Sequence, residues 1–273
     1  MEYNSAPANL VQNVRISYLE IQKEQLMKGI SLELPQNQWK TVFLIGSIAA
    51  FLSFAAVVVD IVFGSLTSAN LSQLPDSALE RFAEFSRTPL MGLYHLDLLN
   101  AMVALIMLPT YFALVGIHRA RNSASAIFAS MVYFMGTAML VSANAALPML
   151  ELSGKYLATT DASQRQLFAA AGEALLSRGA HGSIGNLFGF VLSELAGIGI
   201  SMVMFRGRLF GKVIPLFGLT GGTLLLAYTI LITFVPSTKA VAVMVAAPGG
   251  LLSIVWTVGI GVVLMKEYRS AAQ

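Results

Sequence analysis

LYHLDLLNAMVALIMLPTYFALVGI occupies residues 93–117 and holds a single carboxylate, Asp97. An α-helix rises 1.5 Å per residue and needs about 17–25 mostly apolar residues to cross about 30 Å of hydrocarbon. This run meets that requirement. A transmembrane barrel strand would alternate polar and apolar positions, and this run does not. Five further runs share its character: Val42–Leu66, Ala124–Leu147, Ser183–Phe205, Val213–Val235 and Gly249–Met265. Charged residues make up 11% of the 273-residue chain, against about 25% in a soluble domain, which is too few to cover a water-facing surface. The reading is an all-α membrane protein: a cytoplasmic tail over 1–40, then a six-helix transmembrane bundle over 41–273.

With the N-terminus inside, eleven Lys and Arg fall in the N-tail, the two short inner loops and the C-tail, and six fall in the outer segments. That bias places both termini in the cytoplasm. The net charge of +3 is therefore a matter of topology, and no nucleic acid is expected. The absence of cysteine excludes disulfides, iron–sulfur clusters and thiolate zinc sites. The first apolar run begins only after forty polar residues, so a cleaved signal peptide is not expected.

Residues 8–30 suggest an amphipathic helix, with Val11, Val14, Tyr18 and Ile21 on one stripe, lying on the inner surface or meeting a partner. Two outer segments carry helix signals. Pro75-Asp76-Ser77 opens one, with Leu79, Phe82 and Phe85 at helical spacing and a stop at Pro89. Asp161 opens the other, with Leu167, Phe168, Ala171 and Leu175 on one face and Gly179 as a C-cap. Both are expected to rest on the outer ends of the spans, as packing or as a lid over a cavity. Six spans also allow two inverted halves. The internal echo, GSIAAFLSFA at 46–55 against GSIGNLFGFV at 182–191, is too short to establish them.

The fourth span has a small residue at every fourth position: Gly185, Gly189, Ser193, Gly197 and Ser201. Such a row lets a neighbouring helix approach closely, within the bundle or in a homo-oligomer or membrane-protein partner. Gly249, Ser253, Thr257 and Gly261 repeat it in the sixth. Pro109 should kink the second span. Pro248-Gly249-Gly250 is expected to end a short outer or re-entrant segment, Ala240–Ala247, before the sixth span begins.

Polar residues cluster in the outer half. Asp97 falls within roughly 6 Å of the outer boundary and Asn100 roughly 10 Å in, with Asp60, Asn144 and Asn186 at similar depths and Tyr228 in the outer half of its span. Glu194 is deeper, roughly 16 Å in, near the midplane. An ionised carboxylate there costs about 2.5–3.5 kcal/mol or more, so Glu194 must be protonated, hydrogen-bonded or facing water. Helical geometry puts His95 and Asp97 about 200° apart, while Asp97 and Asn100 share a face. His95 reads as an interfacial bystander.

His95, Asp97, His181, Glu151, Asp60 and Glu194 are ligand types for zinc, but no H-E-x-x-H spacing or histidine cluster supports a metal site. No G-x-S-x-G marks a serine nucleophile, and the glycines beside Lys212 miss the phosphate-loop spacing. No catalytic residue and no cofactor are assigned.

Four stretches carry a family likeness: LDLLNAMVALIMLPTYFAL (96–114), SANAALPMLELSGKYLATTDASQRQLFAAAGEALL (142–176), ISMVMFRGRLFGKVIPLFGLTGG (200–222) and PGGLLSIVWTVGIGVVLMK (248–266). Over roughly residues 40–266 the chain resembles an uncharacterised bacterial family of multi-pass membrane proteins, domain of unknown function 4386. The resemblance implies a six-helix bundle and no established activity. The leading expectation is an outward-facing polar cavity lined by Asp60, Asp97, Asn100, Asn144, Asn186, Glu194 and Tyr228, binding or moving a small polar molecule, a cation or a lipid headgroup. A non-catalytic scaffold or accessory subunit is the alternative, and a metal-dependent intramembrane hydrolase the third.

Overall fold

The computed structural model describes Glu20 and residues 36–66, 75–120, 122–207 and 209–270. The helix expected over 8–30 lies, apart from Glu20, outside the described residues. The described residues form α-helices and no strand: α1 (Gln36–Leu66), α2 (Ala78–Arg87), α3 (Pro89–His95), α4 (Leu98–His118), α5 (Ser123–Ala143), α6 (Ala146–Ala158), α7 (Ala162–Gly179), α8 (Ile184–Gly207), α9 (Val213–Phe234) and α10 (Lys239–Ser270), with a 3-10 turn over Pro236–Thr238. Among the described residues six segments are long and apolar enough to cross a membrane, and the protein is an integral membrane protein. Their apolar side chains lie open at the surface in number, from Leu52 and Ile61 to Phe128 and Leu251, where lipid replaces water as the solvent.

The six spanning helices pack around a core of Trp39, Phe43, Tyr111, Ile200, Met204, Trp256, Ile260 and Leu264. Hydroxyl-to-backbone bonds tie α1 into it: Thr110 Oγ1 donates to the Gly46 carbonyl and Ser47 Oγ to the Gly261 carbonyl, each at 2.8 Å. Between helices in lipid, such bonds and close backbone approach do what the hydrophobic effect cannot.

The small-residue row of α8 is taken up by this packing. A methyl group on Gly189 would stand 2.8 Å from the Leu140 backbone, and one on Gly185 would overlap the Arg178 carbonyl. Gly136 of α5 faces Ser193 in return, and Ser201 is fully buried against Gly218 of α9. Gly197 is looser, with the Tyr111 hydroxyl 3.6 Å from its would-be methyl.

A second core sits at one end of the bundle, where α2, α3, α6 and α7 form a helical cap around Phe82, Phe85, Leu96, Met149 and Leu176. Both expected start signals operate. Ser77 accepts from Glu80 N while the Glu80 carboxylate accepts from Ser77 N, a capping box that opens α2. The carboxylate of Asp161 accepts from Ser163 N and Gln164 N at the head of α7. Glu80, hydrogen-bonded by the Ser77 and Asp76 amides, is held below its usual carboxylate range.

The structure corrects five local expectations. The second run is not one helix: it breaks at Leu96-Asp97, so α3 belongs to the cap and the span starts at Leu98. The third run breaks at Asn144-Ala145, and residues 146–158, which showed no start signal, form α6. Pro248 lies inside α10 without ending it. Gly249 and Gly221 bring α10 and α9 close together, so these glycines serve packing. Gly179 is the last residue of α7, but its role is contact: a side chain there would overlap the Ala143 carbonyl. The buried faces shift too, since Leu79 and Leu167 are exposed and Gly172 and Leu176 turn inward. Helix α4 continues through Pro109.

Candidate functional site

The break before α4 makes the site. Asp97 adopts a left-handed backbone (φ +60°), a conformation that Asp tolerates better than most residues because its short polar side chain bonds locally. Its amide donates to the Tyr94 carbonyl at 3.1 Å and its carbonyl accepts from Ala101 N at 3.1 Å, which closes α3 and opens α4 around one residue. The side chain is thereby aimed into the protein, where Asp97 is only 8% exposed.

Both carboxylate oxygens are engaged. Asn100 Nδ2 donates to Oδ1 at 3.0 Å, and His181 Nδ1 lies 2.6 Å from Oδ2. The other nitrogen of His181, Nε2, lies 2.5 Å from the Tyr228 hydroxyl. Aspartate, imidazole and phenol thus form a continuous chain from the head of α4, through the turn between α7 and α8, to α9. Burial opposes the charge on Asp97, but the His181 imidazole, its hydrogen bond, Asn100 and the Arg81 guanidinium outweigh this and hold the carboxyl below its usual range.

The turn that carries His181 is built for it. Gly182 has φ +75°, and its backbone packs against Ile232 of α9, which sets the imidazole between α4 and α9. A small cavity of about 20 Å3 opens beside the ring, lined among others by Asn186, Phe190, Tyr228 and Thr229. That volume holds a water-sized guest. Asn186 is 1% exposed; its amide nitrogen donates to the Gly179 carbonyl at 3.0 Å, and its buried Oδ1 has no partner among the described residues.

The expected site residues separate into three groups. Asp97, Asn100 and Tyr228 come together through His181, with Asn186 beside them, and the Asp60 carboxyl is close enough to interact electrostatically with Asp97 and His181. Tyr94 donates to the Asp60 carbonyl at 3.1 Å, joining α3 to α1. Asn144 instead holds the second helix break, donating to the Leu96 carbonyl at 2.9 Å and accepting from Ala146 N at 3.1 Å. Glu194 lies on α8 away from the chain, next to Gly222 of α9 and within electrostatic reach of Tyr111 and Tyr133. Those two tyrosines stack at 3.7 Å between ring centroids.

The sequence offers His181 only as a metal-ligand type, whereas in the structure it is the centre of the network. Its signal, a histidine in the glycine-flanked turn Gly179-Ala-His-Gly182, gives no hint of a partner 84 residues away. His95 does not join Asp97. It hydrogen-bonds Glu84 at 2.5 Å, and Glu84 in turn pairs with Arg81 at 2.9 Å, a largely buried polar cluster inside the cap. Among the described residues no three His, Asp or Glu side chains converge as metal ligands.

Neither a curated protein nor a solved structure matches the chain. A family model described as a domain of unknown function, DUF4386, matches residues 41–258, which takes in the six spans up to the middle of α10 together with the cap and every residue of the network. The chain belongs to that family.

Proposed function

We propose that the protein binds a small cation, of the size of ammonium or an alkali metal ion, where Asp97, His181 and Tyr228 meet, and gives up a proton in exchange. The bias of Lys and Arg toward one side supports an inner-membrane protein with both termini in the cytoplasm and this site facing outward. The observation that carries the reading is the buried Asp97–His181–Tyr228 chain, assembled from three separate segments. Such a chain is more than packing requires, because each buried polar group must be desolvated and re-paired.

The chemistry follows from charge. With both ring nitrogens protonated, His181 neutralises Asp97 and the pair offers a cation nothing. When one proton leaves, the carboxylate is uncompensated and the Asp60 carboxyl adds to the negative field. A cation then finds oxygen ligands in Tyr228 and Asn186, which line a cavity of its own size, the Asn186 Oδ1 having no partner among the described residues. Histidine suits this role because its ordinary pKa lies near neutrality. The scaffold alternative draws on the small-residue rows and the N-terminal helix; in the row of α8, Gly185, Gly189, Ser193 and Ser201 already meet neighbouring helices or turns of the same chain.

Addition of ammonium, potassium or sodium chloride to the protein in lightly buffered micelles tests this directly. A stoichiometric release of protons is expected for at least one salt, lost in Asp97→Asn and His181→Gln. Equal release from Asp97→Asn, or none with any of the three salts, overturns the proposal.

A further inference from the structure

We propose that Glu194 is a second, deeper proton-carrying station and that Phe190 is the apolar gate between it and the Asp97–His181 site. This rests on the reading of that site as a proton–cation exchanger, and adds a path by which the proton would continue into the membrane.

Glu194 lies eleven residues into α8, half-buried. Its Oε2 reaches across to α9, 3.7 Å from where a Cβ on Gly222 would stand, and Ile198 flanks the same glycine. Tyr111 of α4 and Tyr133 of α5 are the titratable groups within electrostatic reach of it. Among the described residues, no donor bonds its carboxylate. An ionised acid in such surroundings is expensive, whereas a carboxylic acid carrying its proton is far less so. The glycine opposite leaves room for the carboxyl to turn without displacing a side chain.

The path to this station follows one face of α8. At 100° per residue, Leu187, Phe190 and Glu194 fall within about 60° of one another. Leu187 and Phe190 line the cavity beside His181 and Tyr228. The Phe190 ring meets His181 edge-on, with centroids 6.3 Å apart. One helical turn, a rise of about 6 Å, carries the same face from Phe190 to Glu194. Along α9, Tyr228 and Gly222 are about 9 Å apart. The Phe190 ring therefore stands on this face between His181, just before the head of α8, and Glu194, about three turns into it, where it would block water and protons unless it swings aside.

Two readouts test the inference. At neutral pH, infrared difference spectra in micelles should contain a protonated-carboxyl band that Glu194→Gln removes and Asp97→Asn keeps. In liposomes with a trapped pH indicator, a sodium or potassium chloride gradient should move protons, Glu194→Gln should reduce this to the rate of empty liposomes, and Phe190→Ala should raise it several-fold. Proton release in micelles should survive Glu194→Gln, so failure here is distinct from failure of the outer site. An unchanged carboxyl band in Glu194→Gln, or proton flux at the wild-type rate in that variant, overturns the proposal whatever the outer site does.

Discussion

Asp97 and Glu194 are both acids set into an apolar bundle, and the backbone beneath them explains why their surroundings differ. Asp97 stands at a helix break, where the chain turns and a second turn, bearing His181, can come alongside. Glu194 stands inside an unbroken helix, whose amides are committed to carbonyls one turn back. A break supplies room and loose polar groups, and a continuous helix supplies neither. The result is one acid with both oxygens engaged and one left to its own protonation state.

The largest test of this contrast removes the carboxylate. Asp97→Ala leaves His181 and Asn100 without their acceptor and should cost about 3–5 kcal/mol, the usual penalty for breaking a buried pair, read by denaturant unfolding in micelles. Glu194→Gln should leave the same unfolding curve unchanged. Equal losses in the two variants would break the comparison. Packing around the two acids provides the next test. Gly189→Ala forces a methyl onto the Leu140 backbone and should cost about 1–3 kcal/mol. Gly197→Ala, one turn past Glu194 where the helix is looser, should be neutral or stabilise by up to about 1 kcal/mol.

The smallest effect is in pH. The Asp97 carboxyl is depressed below its ordinary 3.8 in the folded protein, so its contribution is fully present above that value. It is lost as pH falls below 3.8 through the folded value. Stability measured between pH 5 and about 2 should therefore fall more steeply for the native chain than for Asp97→Asn. Parallel curves would show that the His181 contact does not stabilise the charge.

The spans and the cap helices' start signals were legible because each depends on spacing within one segment, whereas the face that helical spacing assigns to Asp97 and Asn100 presumes a helix through Asp97, where the chain breaks. The capping box at Ser77 and Glu80 is such a signal, read over three residues. The breaks at Leu96-Asp97 and Asn144-Ala145 were not legible, since apolar residues continue on both sides and nothing in composition marks a left-handed aspartate. The pairing of Asp97 with His181 was out of reach for a related reason: it joins a helix break to an interhelical turn, and helical periodicity describes neither. Pro248 misled in the opposite direction. A proline followed by two glycines reads as an ending, but here it is carried within a helix held tightly against α9.

The two longest helices, α1 of 31 residues and α10 of 32, are bonded to each other through Ser47 and Gly261. Each measures about 46–48 Å, whereas α4, α5 and α9, of 21 or 22 residues, measure about 32–33 Å, close to the hydrocarbon thickness. One flank of the bundle must therefore lean or lift several turns into the headgroups while the rest fits upright. Membrane thickness becomes a force applied to one side of the protein, and a thicker bilayer would relieve the mismatch along α1 and α10 first.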